Sequence, residues 1–436
     1  MAKSFKNSKS VQYVRIDEKL CNGCTICMKA CPTNAIRVKD HQVAQIKGVC
    51  IACGECIRVC PRGAVGAVIT ESHDLEERSS YAVSTSTALY AQFSDEVMPN
   101  DVLLALKKMG FINVYDQSYM SEMFNVATEL YVKENLEKRS LPFPLISPIC
   151  PVIIRLIAYR FPTLLKHILP LSTPRELVAR EAKKELPSKG TGKSNKIRII
   201  NITPCPAKMI CIKEPMLQMH SYLDGAVEIG SIYEPLKKIV HDLLHYSEDV
   251  ILHFSGGIGL GWAVSGGEIA GLDMDCLAIS GLGEVIQYLE KIEMGLLQDL
   301  HYVELRACID GCLGGLFTVA DKYRAKRKVE RLVRMFGVEK RVKSEYVKKL
   351  YKKGWFFTVK KNPLLEKTST YISDSQISDG IERQNRLEEI LKLLPRRECG
   401  ACGCPDCRTF AEDVVEGEAS LADCVYLQEK KKSSNR

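Results

Sequence analysis

The nineteen cysteines are the residues of this chain best able to do chemistry, and most fall in short regular spacings. Cys21-x2-Cys24-x2-Cys27-x3-Cys31-Pro32 is followed by Cys50-x2-Cys53-x2-Cys56-x3-Cys60-Pro61. Near the other end stand Cys399, Cys402, Cys404 and Cys407, with Cys424 seventeen residues further on. Cys150, Cys205, Cys211, Cys276, Cys308 and Cys312 are scattered between. A Cys-x2-Cys step sets two thiolates on one tight turn, and thiolates bind soft metals. At 436 residues the chain is too long for a disulfide-stapled secreted mini-domain.

The first run has the spacing of two-cluster bacterial ferredoxins. There the first three cysteines of each half hold one [4Fe–4S] cubane, and the fourth ligates the other. Cys21, Cys24, Cys27 and Cys60 are then expected round one cluster, and Cys50, Cys53, Cys56 and Cys31 round the second. Zinc is the alternative, but it needs neither the third closely spaced cysteine nor the terminal Cys-Pro. The segment from Cys399 to Cys424 resembles a small iron–sulfur domain with a C-G-x-C-G-x-P-x-C core and a distant fourth cysteine. The resemblance implies Cys399, Cys402, Cys407 and Cys424 as ligands of a third [4Fe–4S] cluster, with Cys404 spare and a zinc knuckle as the alternative.

The middle of the chain has to position the scattered cysteines. Asp101 to Met109 has helical apolar spacing, stopped by Gly110. Phe111–Tyr115, Pro144–Ile146, Ile197–Thr203, Cys276–Ser280 and Tyr302–Leu305 read as strands. Tyr233–Tyr246 and Glu284–Leu297 read as helices. Strand–helix–strand repetition implies α/β architecture with mostly parallel sheets. Ligands then sit beyond the carboxyl ends of strands, where Cys150, Cys205 and Cys308/Cys312 fall. Glu382 to Leu394 is an amphipathic helix with Leu387, Ile390, Leu391 and Leu394 on one face, ended by Pro395. The polar stretches Glu71–Ser80 and Thr368–Asp379 make linkers. The expected division is 1–70 as a small α+β ferredoxin-like domain, 80–370 as the central α/β domain, and 380–436 as a small helical cluster domain.

Local sequence round the scattered cysteines adds a resemblance. Pro204-Cys205-Pro206-Ala207-Lys208 resembles the P-C-x-x-K motif of [FeFe]-hydrogenases. Glu304 to Gly315 resembles their E-x-x-A-C-x-x-G-C-x-G-G motif. Ser147-Pro148-Ile149-Cys150-Pro151 resembles part of T-S-C-C-P, and Val264-Ser265-Gly266-Gly267-Glu268 resembles the S/T-G-G-V stretch. With ferredoxin-type cysteines in front, the whole is similar to the large subunit of that family, and the C-terminal module is similar to its sensory branch. The resemblance implies an α/β central domain of two lobes. It implies that Cys150, Cys205, Cys308 and Cys312 hold the cubane of an H-cluster, with Cys312 bridging to a diiron CO/CN unit and Lys208 donating to a cyanide. Lys208 and Cys312 are the implied catalytic residues. Active members carry a proton-relay cysteine where this chain has Ile149, and a glutamate where it has Cys211. Loss of a relay slows proton transfer by about 10²–10⁴, so slow H2 chemistry or H2 sensing is expected. Cys211 and Glu214 are candidate substitutes. The last motif continues Leu316-Phe317 where active members often have a third glycine.

Charge and composition set the remaining bounds. The net charge is +8, yet Asp321–Lys361 alone holds sixteen basic against four acidic residues, a local +12 (16 − 4). That stretch reads as a solvated helical surface, with an acidic docking partner or nucleic acid as lesser alternatives. The start Met1–Lys6 has no apolar stretch behind it, and no run of about 20 apolar residues occurs. A cytoplasmic protein of an anaerobe is expected, with no membrane and no nucleic acid among its partners. Those partners are H2 and protons, maturation proteins for the diiron unit, and a redox partner such as a ferredoxin or a signalling protein. No PAS-like or kinase segment is seen, so a signal is expected to leave through that partner. Gly256–Gly261 lacks the G-x-G-x-x-G spacing and reads as a flexible loop. His241-Asp242-Leu243-Leu244-His245 reads as a surface helix rather than a zinc site, and Cys276 as core. The rival function is a non-catalytic electron-transfer or cluster-carrier protein lacking the diiron unit.

Overall fold

The computed structural model describes residues 13–39, 42–68, 81–138, 142–185, 197–244, 250–358 and 374–428, backbone only for 374–377. The linker expected at 71–80 lies outside the described residues, as do residues 368–373 of the second and His245. The chain forms two compact units: residues 69–368, and a second made of both chain ends, 1–68 with 369–436.

The N-terminal segment is two copies of one pattern. Strand β1 (Val14–Ile16) precedes the short helix α1 (Ile26–Lys29), then β2 (Ile36–Arg37). Strand β3 (Gln45–Ile46) precedes α2 (Glu55–Arg58), then β4 (Val65–Ala67). Antiparallel pairing joins β1 to β4 and β2 to β3. The third cysteine of each run, Cys27 or Cys56, sits on its helix.

The large unit begins with β5 (Tyr81–Thr85), α3 (Pro99–Lys108), β6 (Asn113–Asp116) and α4 (Gln117–Lys138). Next come β7 (Leu145–Ile146), α5 (Pro151–Arg160), α6 (Pro174–Glu185), β8 (Arg198–Thr203) and α7 (Pro206–Lys213). Then follow β9 (Gly225–Glu228), α8 (Ile229–Leu243), α9 (Gly257–Gly261), β10 (Cys276–Ser280), α10 (Leu282–Glu293) and β11 (Tyr302–Arg306). Helices α11 (Lys322–Phe336) and α12 (Ser344–Lys352) complete it. Two wholly parallel sheets result, ordered β6-β5-β8-β9 and β10-β11-β7. The α/β reading with parallel sheets therefore holds. Strands β5 and β8 are buried almost throughout, as parallel strands covered on both faces must be.

Two expectations change. Gly256–Gly261 is not a flexible loop: it holds the buried helix α9. A Cβ on Gly259 would stand 2.3 Å from the Ser118 carbonyl oxygen on α4, so glycine lets the two backbones touch. The C-terminal helix, here α13 (Asp374–Leu393), starts eight residues earlier than the apolar pattern suggests. The basic stretch does carry an amphipathic helix. On α11, Ala325, Val329 and Leu332 are buried, and Lys328 points inward to donate to the carbonyls of Ser94, Asp95 and Val97 at 2.7–2.9 Å. Among the described residues no helix is long and apolar enough to cross a membrane.

In the smaller unit α13 and α14 (Cys407–Val415) enclose Leu387, Leu394, Phe410 and Ala411. Asp406 caps α14 by accepting from the Thr409 N–H at 2.6 Å. The two chain ends are joined by polar contacts, of which the Arg37–Asp413 pair is buried. Arg37 grips Asp413 as a fork, Nε to Oδ2 at 2.7 Å and Nη2 to Oδ1 at 2.9 Å. Lys29 donates to the carbonyls of Glu398 and Pro405, and the Val38 N–H to that of Gly403.

Candidate metal centres

Strand ends and helix starts position the central cysteines. Cys150 lies just past β7 and is the N-cap of α5; Cys205 lies just past β8 and is the N-cap of α7. In both helices proline follows directly, at the position where a missing N–H costs nothing. Each of these helices thus begins, at the positive end of its dipole, on a cysteine. Cys308 follows β11, and Cys312 sits in the 3-10 turn Gly311–Gly314. That turn is folded tightly against the rest of the site. The Cys312 N–H donates to the Ala263 carbonyl at 2.8 Å, and the Phe317 N–H to the Pro204 carbonyl at 2.9 Å. Gly311 has φ +76, and a Cβ there would stand 2.6 Å from the Ala263 oxygen. The glycine of the motif is therefore a steric necessity of this approach.

Cys150, Cys205 and Cys312 are close enough for their charges to act on one another, together with Lys208. Lys208 Nζ is 3.4 Å from Cys312 Sγ. Burial pushes the Cys205 thiol up to about 11 against the pull of Lys208. Cys312 is equally buried, yet Lys208 and Arg306 outweigh the desolvation and hold it below the usual thiol range. The two cysteines thus differ because the cations crowd the second.

A cavity of about 420 Å³ opens beside Cys312, lined by Lys208, Arg306, Arg175, Trp262, Thr173 and Ile149 among others. Trp262 Nε1 and Thr173 Oγ1 are buried there without a hydrogen-bond partner. A buried donor left unpaired costs about 1–3 kcal/mol. Three cations and orphaned donors aimed at one space fit an anionic, acceptor-rich group held beside Cys312. A diiron unit with cyanide and carbonyl ligands has that character. Ile149, 7% exposed, lines the same cavity and offers no titratable atom.

The candidate substitutes for a relay lie elsewhere. Cys211 lines a neighbouring cavity of about 410 Å³ with Pro148, Leu171, Arg175 and Glu176. Glu214 is 3.5 Å from Arg155 Nη2. Cys276, on β10, is partly buried in an apolar cluster with Tyr302 and Trp262, where burial and Asp275 raise its thiol to about 12.

In the smaller unit the fourth cysteine of each run stands with the opposite trio. Cys21, Cys24, Cys27 and Cys60 line one cavity of about 330 Å³. Burial raises Cys27 to about 11, with the charges of Cys21, Cys24 and Cys60 adding to it. Burial likewise raises Cys56 to about 12, with Cys50 and Cys31 adding. Cys53 is raised by burial and sits near Cys31, Cys50 and Cys56. Among the described residues no three Cys, His, Asp or Glu side chains close on a single ion; the quartet of Cys21, Cys24, Cys27 and Cys60 stands round a wider void. Near the C-terminus Cys402, Cys407 and Cys424 share one apolar cluster, and Cys399 is exposed. Cys404 is fully buried and donates to Asp413 Oδ2 at 3.4 Å, on the carboxylate that Arg37 grips.

Several site residues carry no spacing signal. Arg306 lies within the Glu304–Gly315 motif and Glu268 within Val264–Glu268, but nothing local shows that they bond to each other. Arg175 and Trp262 belong to no motif at all.

An iron-only hydrogenase large subunit, C-terminal domain family matches residues 79–270, which stops before Cys308 and Cys312. A 4Fe-4S dicluster domain matches 13–61, and an Fe-S cluster family matches 394–426. Iron hydrogenase 1 of Clostridium pasteurianum is 20% identical over 260 residues, 49% of this chain and 44% of that protein. The corrinoid/iron–sulfur protein large subunit of Moorella thermoacetica is 46% identical over 41 residues, 9% of each chain. The chain therefore spans less than half the length of these curated relatives. A solved structure of the apo [FeFe]-hydrogenase HydA1 of Chlamydomonas reinhardtii superposes with a TM-score of 0.51 at 14% identity, over 64% of this chain and 91% of that one. That likeness is one of fold.

Proposed function

We propose a function from the premise that this chain belongs to the [FeFe]-hydrogenase-like large-subunit family: it is a slow or H2-sensing hydrogenase that passes electrons between an H-cluster-type site and [4Fe–4S] clusters. Cys150, Cys205, Cys308 and Cys312 hold the central cubane. Cys21, Cys24, Cys27 and Cys60 hold a second cluster, Cys31, Cys50, Cys53 and Cys56 a third, and Cys399, Cys402, Cys407 and Cys424 a fourth. When bound, the central group supplies an open iron position that polarises H2 and a cubane that stores one electron.

The chain's own residues do the rest. Lys208, its Nζ 3.4 Å from Cys312 Sγ, would donate to an anionic group held at that cysteine and anchor it. Trp262 and Thr173 offer further donors. Ile149 keeps that wall of the cavity dry and accepts no proton, so proton delivery limits the rate. The partner is a small redox or signalling protein.

The observation that supports this reading is the cavity beside Cys312, cationic and rich in unpaired donors. A carrier that lacks the diiron unit has no use for that space. Infrared spectroscopy of the full chain after maturation tests it. Stretching bands of CO and CN are expected; a matured chain with intact cubanes and no such bands makes it a cluster carrier.

A further inference from the structure

One buried charge network remains outside the reading above. Tyr302, Glu304 and Arg306 alternate along β11, so strand geometry sets all three on one face. Glu304 accepts the backbone N–H groups of Gly266, Glu268 and Ile269, and Arg306 Nε at 2.9 Å. Glu268 accepts Ser147 Oγ at 2.8 Å, Tyr302 Oη at 2.5 Å and Arg306 Nη2 at 2.7 Å. Arg306, Glu268 and Glu304 are at most 3% exposed. Burying such groups is expensive, enough that burial pushes the Glu268 carboxyl up to about 7 against the pull of Arg306, and an apolar trio of the same volume often serves stability as well or better. The arrangement therefore needs a reason other than stability.

The unused nitrogen supplies one. Two of the three guanidinium nitrogens are clamped by carboxylates, so the group cannot swing. The third, Nη1, lies 4.0 Å from Cys312 Sγ, and Arg306 lines the cavity beside it. We propose that Arg306 is a positioning residue of the central site, a fixed cation that Glu268 and Glu304 aim at the Cys312 sulfur and that favours the reduced, more negative state of the cluster held there. The inference rests on the reading that Cys150, Cys205, Cys308 and Cys312 hold a cluster. At Cys312 the attraction of Lys208 and Arg306 exceeds the repulsion of Glu304. Lys208 sits on a flexible stem, whereas Arg306 is rigid, so its effect survives changes in what fills the cavity.

The test is an anaerobic redox titration of the full cluster-loaded chain, followed by electron paramagnetic resonance, without the diiron unit. Cys205→Ala first identifies the central cluster as the signal it removes. Arg306→Gln is expected to shift that one midpoint to lower potential and leave the others in place, and Arg306→Lys to restore part of the shift. Glu268→Gln keeps the cation and, in titrations run well above pH 7 where Glu268 is ionised, removes a negative charge, so it is expected to shift the same midpoint upward. It also decides the matter if Arg306→Gln does not fold. If Cys205→Ala removes no signal, the cluster reading itself fails. If it removes one signal but neither charge variant displaces that midpoint, the role of Arg306 is refuted and the cluster reading stands.

Discussion

Removing the Asp413 carboxylate should loosen the C-terminal cluster module from the ferredoxin-like segment. Asp413 is 5% exposed and Arg37 7% exposed, and the fork between them spans 376 positions of sequence. In Asp413→Ala, Arg37 Nε and Nη2 lose both acceptors, and Cys404 Sγ loses its own. Only Nη1 keeps partners, the carbonyls of Asn34 and Ile36. Leaving one partner of a buried ion pair uncompensated costs about 3–5 kcal/mol. Part of that is the cost of stranding the guanidinium, so Arg37→Met with Asp413→Leu should recover most of it. Native-state hydrogen exchange on the full chain measures this locally. Amides of α14 should exchange about 10²- to 10⁴-fold faster in Asp413→Ala, with those of β5 and β8 unchanged. Burial pushes the Asp413 carboxyl up, but the Arg37 fork outweighs it and holds the group below its ordinary 3.8. A depressed carboxyl stabilises above the unfolded value and loses that effect only as pH falls through the folded one. Protection of α14 should therefore be flat from about pH 5 to 8. Protection in Asp413→Ala within twofold of the parent would refute the claim that this fork holds the module.

Ile149→Cys places a titratable thiol on the cavity wall. It should raise H2 turnover of the matured chain by up to about 10²–10⁴ in a hydrogen-evolution assay; no change would mean that proton delivery at this wall is not limiting. Trp262 packs edge-on against Phe124 at 5.5 Å, and Trp262→Phe keeps an aromatic ring there while deleting the orphaned N–H and part of the buried indole. In chain lacking the cavity group, relief of the unpaired buried donor, about 1–3 kcal/mol, should offset the lost packing, so stability in thermal unfolding should stay within about 1 kcal/mol of the parent. In matured chain it should instead lower the intensity of the CO and CN infrared bands. Bands as intense as those of the parent would show that the indole does not serve the cavity.

The cysteine runs were legible because their chemistry is local. Two thiolates three residues apart share a turn whatever the rest of the chain does. Cys-Pro steps after the strands ending at Ile146 and Thr203 likewise announce a strand end and a helix start. Parallel sheets followed from strand–helix alternation, since only crossovers join parallel neighbours. Gly256–Gly261 was misread because glycine signals flexibility in isolation and close packing in context; only the backbone of α4 at Ser118 distinguishes the two. Arg306 with Glu268, Arg37 with Asp413, and the donors of Trp262 and Thr173 had no sequence signal. A buried charge or an unpaired N–H is defined by what surrounds it, and its surroundings come from residues tens to hundreds of positions away. Local spacing picked out the candidate cluster cysteines; only the folded chain set the charge that surrounds Cys312.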